Sequence, residues 1–389
     1  MKIGFSTSVI QRGKTGIAQY VFALLRQLSR PESGVDLTVF ALEEDLEHFQ
    51  FLAGKARLVT VSEQHRAPVK NILWHQQTLP GLARRHQLDV LHVPSYRRLL
   101  WRRPCPLVAT IHDLAPFHVQ GKYDWKRMLY GRVIVRQLAR RQDHIIAISE
   151  NTARDIRNFF GVAASKMTVV HNGLDHARFF PVEPEKARAI AAERWGLSAP
   201  FFLYVSRLEH PAKNHVRLIE AFSRFKRETG SEWQLAFGGS DWHGSEAIHA
   251  AARKSSCAKD IRFLGFVADP DLPSLYQAAG AFCYPSLYEG FGFPPVEAMA
   301  CGCPVISSRA GALDEVVAQA AATVDPQNTA GIQQALARMA TDPGWRKAWV
   351  ARGLLNARRF DWDQAARGTV EVYRRAVSSS VPNRLAPAL

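Results

Sequence analysis

Short apolar runs rich in β-branched residues alternate along this chain with longer stretches in which apolar residues return every three or four positions. Lys2–Ser6 predicts a strand, and Gly16–Ser29, with Val21, Leu24, Leu25 and Leu28 on one face, predicts a helix. Further strands are expected at Val35–Leu42, Leu58–Val61, Val90–Pro94, Leu107–Ile111, Ile145–Ile148 and Val169–Val170. Helices are expected at Val69–Arg85, at Asp124–Arg140 and from Ser149, a residue suited to cap the first turn. Strand and helix taking turns in this way predict parallel sheets covered on both faces, an α/β protein.

The segment HNGLDHARFFPVEP, His171 to Pro184, interrupts the alternation with a turn and an extended, proline-bearing link. The pattern then restarts with strands at Phe201–Val205, Gln234–Gly238 and Ile261–Phe263 and a helix at Val216–Thr229. Two α/β domains are therefore expected, residues 1–178 and 179–360, followed by a terminal helix at 361–377 and a disordered tail at 378–389. A length of 389 residues lets each domain bury its own core.

The densest chemistry lies in YEGFGFPPVEAMACGCPVISSRAGALDEVV, Tyr288 to Val317, where Glu289 and Glu297 stand eight residues apart around a glycine-rich turn. Gly290 and Gly292 permit backbone closed to other residues, and Pro294 and Pro295 suit a first helical turn. A helix should begin near Pro294 and stop at Gly302, before a buried strand at Pro304–Ile306. Amides at a helix start carry partial positive charge, so a diphosphate can sit there while nearby carboxylates accept bonds from hydroxyls. An isolated pair of glutamates would equally serve as a helix-dipole partner and a solvated loop charge.

The segment resembles the E-x7-E signature of the retaining glycosyltransferases of family 4, whose GT-B fold sets two Rossmann-like domains facing each other across a cleft. The resemblance extends over nearly the whole chain and is more specific in the second half. It implies that Glu289 binds hydroxyls of the donor sugar and Glu297 the ribose, with Gly290, Phe291, Gly292 and Phe293 lining the sugar. After the strand at Phe201–Val205, a loop carries Arg207 and Lys213 six residues apart, which the resemblance makes the diphosphate-binding pair. The turn Gly13-Lys14-Thr15-Gly16 lacks a full dinucleotide fingerprint; the resemblance brings Gly16 toward the diphosphate. A strand-end histidine is commonly scaffold, whereas the resemblance sets His112 beside the transferred sugar.

It further implies a metal-independent enzyme without cofactor that uses a nucleotide sugar as substrate and retains anomeric configuration by a front-face route. No carboxylate stands out to form a covalent intermediate. Segments HDLAPF and SENTARDI resemble those of bacterial mannosyltransferases that assemble surface polysaccharides, such as exopolysaccharide and lipopolysaccharide. The expected donor is GDP-mannose, with a UDP-hexose or a deoxysugar nucleotide as alternatives, and the acceptor a lipid-linked or oligosaccharide hydroxyl. A glycogen synthase relative, a catalytically silent nucleotide-sugar binder and a basic membrane-surface protein remain open.

Charge changes the picture in one half only. Residues 1–180 hold 26 Lys and Arg against 14 Asp and Glu, and the remainder 24 against 21, within a formal net charge of +15. Clusters lie at Arg97, Arg98, Trp101, Arg102 and Arg103 (RRLLWRR) and at Lys126 and Arg127. Such a face suits an acceptor or an anionic membrane, because Leu99, Leu100 and Trp101 mix with the charges as an interfacial segment does. A solvated basic face is the alternative, and no nucleic-acid recognition pattern accompanies it. Five scattered cysteines point to a reducing cytoplasm, with peripheral association at the inner face of its membrane as an expectation. The start, MKIGFSTSVI, reads as a strand, not a signal peptide. Asp269-Pro270-Asp271 and Asp361-Trp362-Asp363 imitate a metal-binding D-x-D, yet each precedes a helical stretch and reads as a cap.

Overall fold

The computed structural model describes residues 1–13, 15–119 and 129–380. Two compact units divide the chain: Met1–Gly173 with the segment from Asp361 onward, and Leu174–Phe360. The division falls after Gly173, where the chain packs closely. A Cβ on Gly173 would lie 2.3 Å from the Trp362 amide, so only glycine admits the returning terminal segment. Residues just beyond it belong to the second unit, where Phe179 packs on Tyr276 and Arg178 bonds the Asp269 carbonyl.

The first unit is a seven-stranded parallel sheet in the order β3-β2-β1-β4-β5-β6-β7. Its strands are β1 Lys2–Ser6, β2 Asp36–Leu42, β3 Arg57–Val61, β4 Val90–Val93, β5 Leu107–Ile111, β6 His144–Ala147 and β7 Met167–Val169. Residues of β1, β2, β4 and β5 such as Ile3, Phe5, Val39, Phe40, Leu91 and Val108 are fully buried, as strands covered on both faces must be. The expected helix at Val69–Arg85 is two, Pro68–Gln77 and Leu79–Arg85, because Pro80 has no amide for the Gln76 carbonyl. The expected start of the helix at Asp124 lies outside the described residues; further on, a π turn at Gly131–Val135 runs into a helix at Arg136–Arg141. Ser149 caps the next helix, accepting from the Thr152 amide at 3.0 Å. The terminal helix spans Trp362–Ser380, past the expected end, and the rest of the expected tail is outside the described residues.

The second unit is a six-stranded parallel sheet in the order β10-β9-β8-β11-β12-β13. These strands are β8 Phe201–Val205, β9 Gln234–Gly238, β10 Ile261–Gly265, β11 Ala281–Tyr284, β12 Val305–Ser308 and β13 Ala322–Val324. Aromatic residues fill its core: Phe202 packs against Phe222, Phe225 and Trp233. Among the described residues, helices not anticipated from the pattern lie at Pro184–Trp195, Ser245–Lys254, Leu313–Val317, Thr329–Thr341 and Pro343–Ala357.

Candidate functional site

In the second sheet, strand order reverses between β8 and β11. Loops leaving the carboxyl ends of parallel strands diverge at such a reversal and leave a crevice. The loop after β8 carries Arg207 and Lys213, and that after β11 carries Glu289, so topology alone brings these residues together. Lys213 Nζ lies 2.6 Å from Glu289 Oε1, with the side chains 15% and 12% exposed. Ser286 Oγ donates to the same oxygen at 2.6 Å. Three residues ahead of Glu289 in sequence, Ser286 was within reach of a local reading and was missed.

Each partner is held from behind. The Lys213 carbonyl accepts from Tyr204 OH at 2.6 Å, and Asn214, in the left-handed conformation at φ 60°, donates to the carbonyls of Pro285 at 2.9 Å and Pro326 at 2.7 Å. Asn214 thereby ties the β8 loop to the β11 loop. Glu289 is fixed through its backbone: its carbonyl accepts from the Ala312 amide at 2.8 Å, and a Cβ on Gly311 would stand 2.3 Å from that carbonyl oxygen. Only glycine fits there, a requirement that the sequence reading had not assigned.

The helix predicted near Pro294 spans Phe293–Ala300, with proline in its first turn. Of the two turn glycines, Gly292 carries the left-handed conformation, at φ 98°; Gly290 does not. Phe291 is buried, with its ring 5.3 Å from Phe293 and 5.4 Å from Phe360, so its side chain packs the turn and leaves the backbone as its means of reaching a ligand. Glu297 accepts from Tyr276 OH at 2.8 Å. Burial pushes its carboxyl up to about 7, opposed by the Tyr276 bond and by the charge of Arg178. Near neutral pH it is therefore poised between acid and carboxylate.

Arg207 is set differently from Lys213. It is 45% exposed, its guanidinium lies 4.6 Å from the centroid of the exposed Trp242 ring, and Glu209 stands 3.7 Å away. A cation stacked on an open indole face keeps its N–H edges available to phosphate oxygens.

Gly16 and His112 belong to the first unit. Gly16 opens the helix Gly16–Leu28, capped by Thr15, whose side chain accepts from the Ala18 amide at 3.2 Å; Lys14 of that turn lies outside the described residues. His112 follows β5. Its ring bonds the Pro94 carbonyl, its Nε2 is shut off from solvent without a partner among the described residues, and Tyr20 meets it edge-on at 4.7 Å. Burial lowers its pKa to about 4, against the pull of Asp113, so the ring is neutral at pH 7 and Nε2 is an acceptor. Thr110, hydrogen-bonded to both Tyr20 OH and His92, anchors this strand end.

The basic cluster RRLLWRR does not form one surface. Leu99 and Leu100 are 1% and 0% exposed and belong to the core, which removes two of the three apolar residues from the expected interfacial segment. Trp101 is exposed but lies under the Arg141 guanidinium at 4.6 Å, Arg102 is exposed, and Arg103 pairs with Asp143. Arg97 and Arg98 instead occupy the turn after β4. Lys126 and Arg127 lie outside the described residues. Asp271 pairs with Arg194, Asp361 caps the terminal helix at the Gln364 amide, and Asp363 pairs with Arg30 at 2.9 Å. Among the described residues, no group of three His, Cys, Asp or Glu is placed to hold a metal, and no helix is long and apolar enough to cross a membrane.

Two parallel α/β sheets, with a cation and a carboxylate meeting at the reversal of the second, define an α/β protein with a polar ligand crevice at that reversal. Comparison with known proteins narrows the class. The model for "Glycosyl transferases group 1" matches residues 185–354, and that for "Glycosyltransferase Family 4" residues 14–178. The chain belongs to glycosyltransferase family 4 and is a glycosyltransferase of GT-B fold. It is 27% identical to the O-antigen chain mannosyltransferase B of Escherichia coli, over 96% of this chain and all of that protein. It is 31% identical to a glycogen synthase of Mycobacterium tuberculosis over 70% of this chain and 63% of that one. The mannosyltransferase WbdA of E. coli is matched at 27% identity over 71% of this chain, which covers about a third, 34%, of WbdA. Among solved structures, sucrose-phosphate synthase of Thermosynechococcus elongatus superposes with a TM-score of 0.80 at 21% identity, covering 98% of this chain and all of that one. HepE of Anabaena, solved with UDP and glucose, does so with 0.75 at 19% identity, over 95% and 98% of the two chains.

Proposed function

We propose that this enzyme transfers mannose from GDP-mannose, with retention of configuration, to a hydroxyl of a lipid-linked or oligosaccharide acceptor in polysaccharide biosynthesis. The observation that carries the reading is the Lys213–Glu289 pair at the reversal of the second sheet. Lys213 and Arg207 neutralise the diphosphate that departs, Glu289 accepts bonds from sugar hydroxyls, and ionised Glu297 accepts them from the ribose. His112 offers its bare Nε2 to a hydroxyl of the transferred sugar. The departing diphosphate takes the acceptor proton at the front face, so neither a covalent glycosyl-enzyme nor a metal ion is required. Mannose is favoured by the two E. coli mannosyltransferases among the relatives. The HepE complexes with UDP-glucose keep a UDP-hexose as the second reading. Five free thiols fit a reducing cytoplasm, with Trp101 and Arg102 the exposed part of RRLLWRR left to meet an anionic membrane face.

The test is thermal shift and slow hydrolysis across a panel of nucleotide sugars, with and without EDTA, on wild type and Glu289→Ala. One donor that stabilises and is hydrolysed, indifferent to EDTA and lost in the variant, is the expected result. Stabilisation by no donor, or activity abolished by EDTA and restored by a divalent ion, would sink respectively the donor reading and its metal independence. The anomeric configuration of the transferred product, read by NMR, decides retention.

A further inference from the structure

One arginine of the first domain is placed unlike its neighbours. Arg12 pairs with Glu44, Arg66 with Asp45 and Glu63, and Arg103 with Asp143. Arg98 is half-buried in the turn after β4, and its bonds run to Asn71 Oδ1 and to the Arg97 carbonyl, with no carboxylate partner among the described residues. Burial brings its guanidinium down to about 10, with Tyr130 opposing and the adjacent Arg97 adding to the effect. Its charged neighbour is thus another cation.

The surroundings are polar, neutral and fixed. Ser8, in the loop after β1, donates to the same Asn71 Oδ1 at 3.2 Å, and Asn71 Nδ2 donates to the His65 carbonyl at 2.9 Å. Behind them His75 is fully buried and held neutral by burial; it donates from Nδ1 to the Asn71 carbonyl at 2.8 Å, which leaves Nε2 to accept from Ser6 Oγ at 2.9 Å. Ser6, Ser8, Asn71 and His75 are all neutral, and none supplies the counter-charge that a desolvated guanidinium needs. The place matters as well: the first sheet reverses order between β1 and β4, and Ser8 and Arg98 come from the two loops that leave that reversal. It is the same topological position that holds Lys213 and Glu289 in the second sheet, with the acidic partner missing.

We propose that Arg98, seconded by Arg97 and held by Asn71, binds a phosphate group carried by the acceptor substrate. The planar fork of a guanidinium meets two phosphate oxygens at once, which a lysine at this position would not do. The word acceptor rests on the glycosyl-transfer reading; the anion site rests on residues of the first domain alone. A phosphate ester reaches such a site either on a free phosphorylated sugar or as the diphosphate of a lipid-linked saccharide.

The experiment uses the full-length chain with its nucleotide site saturated by GDP, or by UDP in a parallel series. Hexose 1-phosphate, methyl hexoside, and phosphatidylcholine vesicles with or without a polyprenyl diphosphate sugar are titrated into wild type, R98Q and R98K. At least one phosphate-bearing probe should bind wild type, while methyl hexoside and plain vesicles do not; R98Q should bind it about tenfold or more weakly, and R98K in between. Binding of the soluble ester assigns a free sugar phosphate, and binding confined to the loaded vesicles assigns the lipid-linked form. Because Arg98 lacks a counter-charge, R98Q should melt at or above the wild-type temperature. Wild-type affinity in both variants, no binding by either phosphate probe, or a large fall in melting temperature in R98Q would each overturn the proposal, the last by making Arg98 a structural residue. The same titration run without nucleotide does not depend on the donor panel, so the two readings fail separately.

Discussion

Replacing Lys213 by Met should cost more stability than removing both members of its ion pair. At 2.6 Å and an effective dielectric constant of about 20, the pair's gross attraction is about 6 kcal/mol, most of which is offset by the desolvation of both charges. Lys213→Met leaves the Glu289 carboxylate at 12% exposure without this cation, with Ser286 and Tyr284 among its remaining side-chain donors. Breaking a buried pair from one side costs about 3–5 kcal/mol, and the residual solvent contact here lowers that to about 2–4 kcal/mol. For a domain of this size the melting temperature should fall by about 5–15 °C. Lys213→Met combined with Glu289→Gln should recover most of the loss, because the carboxylate charge is then removed together with its cation. Chemical denaturation of wild type, both single variants and the double variant closes a double-mutant cycle with a coupling of about 2 kcal/mol or more. A Lys213→Met variant as stable as wild type, or a double variant no better than the single, would refute the reasoning.

Four other outcomes are expected. The Glu297 carboxyl is raised to about 7, so between about pH 4.5 and 7 the native state holds a proton that the unfolded chain has released, and stability falls as pH rises through that window. Glu297→Gln should abolish that decline, worth up to about 3 kcal/mol, and parallel melting curves for the two proteins from pH 4.5 to 8 would contradict it. Nucleotide affinity of the wild type should rise with pH through about 7, as ribose hydroxyls select the carboxylate; calorimetry in buffers of different ionisation heat reads the proton released. Gly311→Ala sets a Cβ 2.3 Å from the Glu289 carbonyl oxygen at φ 67°, so it should cost about 2 kcal/mol or more and weaken donor binding, with an unchanged Kd for the nucleotide sugar as the contrary result. Arg207→Ala should lower kcat more than it raises the donor Kd, and a lost affinity with turnover intact would remove Arg207 from the stabilisation of the leaving group.

What could be read from the sequence was what strand ends and local turns dictate. Lys213 and Glu289 each follow a short apolar run, and in a parallel sheet both then face the crevice wherever the two strands are neighbours. The charge state of Glu297 could not be read, because it is set by burial, opposed by Tyr276 and Arg178, and all three come from tertiary packing. RRLLWRR misled for a related reason: an apolar pair between charges looks interfacial in one dimension, while the turn after β4 directs Leu99 and Leu100 into the core. The helix Pro184–Trp195 escaped notice because its buried side chains are Ala187 and Ala191, too small to mark a face. Gly173 and Gly311 carry their requirement in a partner backbone distant in sequence, where no local pattern records it.

The ion pair at the second sheet's reversal also bears on how binding divides from chemistry in the proposed reaction. Before a donor arrives, Lys213 is already satisfied by Glu289, so a diphosphate entering beside it gains from that cation less than from the open edge of Arg207. As the bond to the sugar lengthens, charge accumulates on the departing diphosphate and its pull on Lys213 grows. The same movement relieves Glu289 of its cation and strengthens it as an acceptor for sugar hydroxyls. An interaction that grows along the reaction coordinate lowers the barrier without tightening the ground state. A prepaired lysine therefore favours turnover over affinity.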